Sequence, residues 1–139
     1  MKRVILISCV SKKVQYPTKA ENLYQSTLFK FALQYAKMQN ADRIYILSAL
    51  YGLLELSDVV APYEKTLNSM KEFEIKQWSE KVVDQIIQKG LDLKTDQFIF
   101  LAGNNYRKYI IPNIQKISIP MKGLRIGEQL AYLKKEISE

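Results

Sequence analysis

Arg3–Ser8 reads RVILIS, and residues 9–13 continue as CVSKK. Four consecutive apolar residues, Val4 to Ile7, leave no polar face on an extended chain, which is the pattern of a strand covered on both sides. The pattern returns at Asp42–Ser48 (DRIYILS) and Gln97–Ala102 (QFIFLA), and a shorter run, KISIP, follows at Lys116–Pro120. Between these runs the apolar period lengthens. Leu28, Phe31, Ala32, Tyr35 and Met38 form one stripe after Ser26, a helix N-cap, and Asn40 closes that helix. Phe73, Ile75, Trp78, Val82, Val83, Ile86 and Ile87 form a second helical stripe within about 69–89, with Gly90 as its stop. The last dozen residues read as a third helix.

Short buried strands alternating with helices predict an α/β sandwich with a mainly parallel sheet of about four strands. The 139 residues fit a single domain spanning 1–139. In such sheets ligands lie outside the carboxyl ends of the strands. Three strand ends here open onto polar loops, SCVSKK, SALYG and AGNNYRK, and parallel strands would bring all three to one edge.

Each loop offers distinct chemistry. The first holds Ser8, Lys12 and Lys13, hydroxyl and ammonium groups suited to a phosphate, without the glycines of a P-loop. It reads equally as a solvated basic turn. The second, within Leu47–Glu64 (LSALYGLLELSDVVAPYE), holds Ser48, Tyr51, Gly52, Asp58, Tyr63 and Glu64. Its tyrosines offer faces on which a base can stack, Gly52 can turn the backbone or admit a ligand, and Asp58 or Glu64 can orient or deprotonate water. The competing account has these residues capping a turn, with both tyrosines in the core. The third carries Gly103, Asn104, Asn105, Tyr106, Arg107 and Lys108: an amide can read a base edge and a cation neutralise phosphate, or Asn104 is simply an N-cap and Arg107 a surface charge.

Composition narrows the chemistry further. Lys and Arg outnumber Asp and Glu by 21 to 14, a net charge of +7, which favours nucleic acid, nucleotides or another polyanion as partner. Scattered lysines also serve solubility alone. With no histidine and a single cysteine, Cys9, this chain builds no Ser-His-Asp triad, no Cys-His pair and no histidine-ligated zinc site, and no metal or cofactor is expected. A lone cysteine fits the reducing cytoplasm, and no run approaches the roughly 20 apolar residues of a membrane span. The MKRVILISCV start passes directly into SKK without a small-residue cleavage pattern, so it reads as a first strand rather than a secretory signal.

The string LSALYGLLELSDVVAPYE, a helix with Trp78 and then FLAGNNYRKYIIP together resemble the YaaA-like proteins and their short bacterial and phage relatives. The early ISCVSKK resembles that family's serine–lysine strand end, and ENLYQS before a helix is similar to the short relatives. The resemblance implies a three-layer α/β fold like that of uracil-DNA glycosylase, DNA binding in preference to RNA binding, and a role in oxidative stress. By position it marks Ser8 and Lys12, then Tyr24 and Ser26, then Ser48, Tyr51, Gly52 and Tyr63 with Pro62, and finally Gly103 and Tyr106. The chain is much shorter than YaaA proper, and Glu64 stands where the short relatives often have aspartate. The expected function is a strand-end base pocket that binds nucleic acid or a nucleotide. Asp58, or Glu64, is the candidate carboxylate for hydrolysis of an N-glycosidic bond; a non-catalytic DNA-binding module is the alternative.

Overall fold

The computed structural model describes residues 1–8 and 13–138. Strand β1 (Arg3–Ser8) is followed by β2 (Thr18–Lys19), α1 (Ala20–Leu23) and α2 (Thr27–Lys37). Next come β3 (Arg43–Ser48), β4 (Gly52–Glu55), β5 (Val59–Val60) and α3 (Glu72–Gln88). The chain ends with β6 (Gln97–Leu101), α4 (Asn104–Arg107), β7 (Lys116–Ser118) and α5 (Ile126–Ser138).

The main sheet has five strands in the order β4-β3-β1-β6-β7. β1 pairs in parallel with β3 and β6, and β7 in parallel with β6, while β4 runs antiparallel to β3. β1, whose Val4–Ile7 are fully buried, is therefore the central strand. Its residues alternate between two cores: Ile5 and Ile7 join Phe29, Ala32 and Ala36 of α2 and Leu133 of α5, whereas Val4 and Leu6 join Trp78, Val82 and Ile86 of α3 and Tyr106 after β6. With both faces buried, a polar residue anywhere in Val4–Ile7 would lose its water.

The fifth strand departs from the expected count of about four. The stretch after Ser48 reads as a loop, but Ser48 pairs with Gly52 across a tight turn, so β4 folds back along β3 and buries Leu53 and Leu54. Gly52 is at φ +78°, a left-handed conformation natural to glycine, and Gln85 of α3 fills the space where a Cβ would stand. The described part of the long early loop is also more ordered than expected, since it carries α1 and the pairing of β2 with β5.

The helices follow their local signals with small offsets. Ser26 caps α2 by accepting from the N–H of Phe29 at 3.1 Å. The buried stripe of α2 is Phe29, Ala32, Leu33, Tyr35 and Ala36, one position away from Leu28 and Phe31, and Met38 is exposed. Helix α3 starts at Glu72 rather than 69, because Leu67–Ser69 form a separate 3-10 turn; Phe73 and Ile87 face water. At the opposite edge of the sheet, buried Asp96 accepts from the N–H groups of Lys2 (2.7 Å) and Asp92 (2.8 Å). The N–H of Asp92, then that of Lys2, holds its carboxyl below the ordinary carboxylate range. No helix among the described residues is long and apolar enough to cross a membrane.

Candidate functional site

Parallel pairing sets the carboxyl ends of β1, β3, β6 and β7 on one edge. Ser8, Ser48 and the Gly103 that follows β6 therefore meet there. The connection leaving β1 leads to β3 on one side, and that leaving β6 leads to β7 on the other, so strand order reverses between β1 and β6. Such a reversal opens a crevice. Ser8 Oγ accepts from the N–H of Gly103 at 3.0 Å and ties the two strand ends together.

A cleft of about 560 Å³ occupies this position, within the range of small-molecule sites. Its polar lining includes Ser8, Ser26, Asn104, Asn105, Arg107 and Gln129. Phe29, Phe100, Tyr106 and Met121 supply apolar and aromatic walls. Arg107 is half-buried; one N–H donates to the carbonyl of Ala102 at 2.6 Å, and burial lowers its pKa. A guanidinium has five donors, and this bond uses one of them. Asn105 donates to Asn68 Oδ1 at 3.0 Å, and Gln129 donates to the carbonyl of Leu124 at 2.9 Å, which orients both amides. No acidic side chain is among the described residues that line the cleft.

Beside the cleft, at the end of β3, Ser48 is fully buried and its hydroxyl is committed. Oγ accepts from the N–H groups of Tyr51 (3.0 Å) and Leu50 (3.3 Å) and donates to the Tyr63 hydroxyl (2.8 Å). The Tyr63 hydroxyl also contacts that of Tyr24 at 2.7 Å, and Tyr51 packs edge-on to Tyr63 with ring centroids 5.7 Å apart. Lys13 Nζ sits over the Tyr63 ring, 4.3 Å from its centroid. On the other face, Trp78 Nε1 donates to the Ser48 carbonyl at 2.9 Å and its ring meets Tyr106 edge-on at 5.6 Å. Tyr106 in turn supports the following turn, its hydroxyl accepting from the N–H of Leu67 at 3.4 Å.

The structure thus brings Ser8, Ser26, Gly103, Asn104 and Tyr106 to one cleft and gathers Tyr24, Ser48, Tyr51 and Tyr63 into the adjoining cluster. Lys12 lies outside the described residues. Gly52 serves the turn into β4, with Gln85 packed against it, rather than a ligand's approach. Asp58 is not brought to the edge. Its carboxylate accepts from the N–H of Glu55 at 2.9 Å and closes the turn after β4, and Glu55 pairs with Tyr45, three residues or about 10 Å back along β3 from Ser48. Glu64 lines a second, open cavity of about 730 Å³ together with Lys13, Gln25, Tyr63, Lys65 and Thr66. Lys108 is paired with Glu72 at 2.8 Å; this pair, followed by the Tyr109 hydroxyl, lowers the Glu72 pKa.

Three contributors escape a reading of the strand-end loops alone. Phe29 and Gln129 come from helices, and Asn68 from the turn before α3. Nothing local in the sequence marks any of the three, and the stripe read from the sequence passes through Leu28 and Phe31 instead of Phe29. Among the described residues, no group of three or more His, Cys, Asp or Glu is placed to hold a metal ion.

Comparison with curated proteins finds no match. A family model covers residues 4–135, from the first residue of the buried β1 core into the last helix, including both sides of the cleft. The chain belongs to the family described as Family of unknown function (DUF6884).

Proposed function

We propose that the chain binds a nucleobase, carried by a nucleotide or by nucleic acid, in the cleft between the ends of β1 and β6. The observation that carries this reading is the lining of that cleft: three asparagine amides, a glutamine amide and a half-buried guanidinium set against the apolar wall that includes Phe29 and Phe100. Amides satisfy the paired donors and acceptors of a base edge, aromatic and apolar walls match its faces, and a guanidinium complements phosphate. The net charge of +7 draws a polyanion toward the site.

The cores on the two faces of β1 fit a three-layer sandwich of the uracil-DNA-glycosylase kind, and the reading extends the YaaA likeness to a DNA-binding module. Binding has more support than hydrolysis. Cleavage of an N-glycosidic bond calls for a group that positions water or stabilises an oxocarbenium-like sugar. Asp58 is engaged in its own turn; Glu64, in the adjoining cavity, is the remaining candidate from the second loop.

Equilibrium binding of nucleoside monophosphates and short DNA and RNA strands at low salt tests the proposal. Arg107→Ala should weaken binding about 10-fold or more, since a hydrogen bond to a charged group is worth about 1.5–3 kcal/mol. Absence of binding by every ligand at low salt would overturn the reading. Chromatography of the same mixtures, with strands containing uracil or modified bases, detects released base; release that persists in Glu64→Gln would remove Glu64 as the catalytic carboxylate.

A further inference from the structure

We infer that the natural ligand is a strand of at least two linked nucleotides, one base in the β1–β6 cleft and the next nucleotide in the cavity lined by Lys13, Tyr63 and Lys65. This rests on the proposed function. The first cavity, at about 560 Å³, is already of a size for a single nucleotide, and the second adds about 730 Å³ beside it. The two adjoin in sequence and space: Gln25 lines one and Ser26 the other, and Thr66 lines one and Asn68 the other. A free nucleotide would leave the second cavity unused.

The second cavity suits a sugar-phosphate. Tyr63 presents an aromatic ring whose orientation is fixed by Ser48 and Tyr24. Lys13 is held at the ring by its backbone bridge to Tyr24 and by the neighbouring bond from the N–H of Val14 to the carbonyl of Leu23 at 2.9 Å. Lys65 adds a second, exposed ammonium. A groove that combines ammonium groups with aromatic side chains has the elements of sequence-tolerant single-strand binding.

The test compares nucleoside monophosphates with di- and tetranucleotides of mixed sequence, as DNA and as RNA, against wild type, Lys65→Ala and Lys13→Ala/Lys65→Ala, with thermal melting to verify folding. Wild type should bind the dinucleotide at least 10-fold more tightly than the monophosphate, and the double variant should lose that gain while retaining monophosphate binding. The slope of log K against log salt for the tetranucleotide should fall by about 1.4 in the double variant. Lys65 is exposed, so the single variant, expected to lose about half of that slope, isolates the effect if removing Lys13 disturbs the fold. Equal affinity for monophosphate and dinucleotide, or an unchanged slope in Lys65→Ala, overturns the inference and leaves the base site standing. Failure of both ligand classes to bind wild type removes the base site and the inference together.

Discussion

Replacing Gly52 by alanine probes the turn that separates β3 from β4 and thereby sets the rim of the site. Position 52 has φ +78°, where an alanine costs about 1–2 kcal/mol relative to its preferred conformations. The added methyl also meets Gln85 Oε1, the acceptor for the N–H of Leu53 at 2.8 Å; the same side chain donates to the Tyr51 carbonyl at 3.1 Å. Displacing Gln85 costs both bonds, about 1 kcal/mol each. Gly52→Ala should therefore destabilise by about 3–4 kcal/mol. With an unfolding entropy of about 2.1 cal/mol/K per residue over 139 residues, the melting temperature should drop by about 10 °C. The decisive measurement is a urea double-mutant cycle with Gln85→Ala, which costs about 2 kcal/mol alone but removes the obstruction. The two changes should fall short of additivity by about 2 kcal/mol. Additivity within about 0.5 kcal/mol would refute the close packing of Gln85 against the turn.

Other consequences follow from particular bonds. Ser48→Ala removes the acceptor for the N–H groups of Tyr51 and Leu50 and the donor to Tyr63, and should cost about 1–3 kcal/mol in urea unfolding; a cost below about 0.5 kcal/mol would show that the hydroxyl does not hold the turn. Asp96→Asn leaves one anionic acceptor fewer for the N–H groups of Lys2 and Asp92 and should cost about 1–2 kcal/mol at neutral pH. Because the folded-state pKa of Asp96 is depressed, its contribution is present above the unfolded value near about 3.9 and is lost as pH falls through the lower folded value. The stability difference between wild type and Asp96→Asn should accordingly shrink in acid below about pH 4, and a difference that is flat down to about pH 2 would contradict it. Asp58→Asn keeps an oxygen for the N–H of Glu55, so nucleotide binding should be unchanged and stability altered by under about 1 kcal/mol; a selective loss of binding or of base release would return Asp58 to the site.

Much of the fold was legible because its determinants are local. Val4–Ile7 cannot face water on either side, and that makes β1 legible as a strand covered on both faces. The cap at Ser26 and the stop at Gly90 are short-range hydrogen-bonding and backbone preferences, and the structure realises both. The meeting of the serine and asparagine loops on one edge followed from parallel pairing. β4 was hidden because Gly52–Glu55 is only four residues long and follows a polar turn that reads as the start of a loop; only the pairing of Ser48 with Gly52 across that turn reveals it.

What the sequence by itself determined is the alternation of buried strands and helices, the cationic balance, and the edge of the sheet at which polar groups collect. Tertiary structure decided which of those groups share a space. Tyr24, Ser48 and Tyr63 form one hydrogen-bonded cluster from three separate segments, whereas Asp58, close to Tyr63 in sequence, is turned back along β3 by the antiparallel β4. Arg107, readable as a surface charge, is half-buried against the Ala102 carbonyl at the cleft. Periodicity records only whether a residue faces water or a core. A site requires side chains far apart in the chain to converge, and that depends on strand order and on the direction in which each turn leaves its strand.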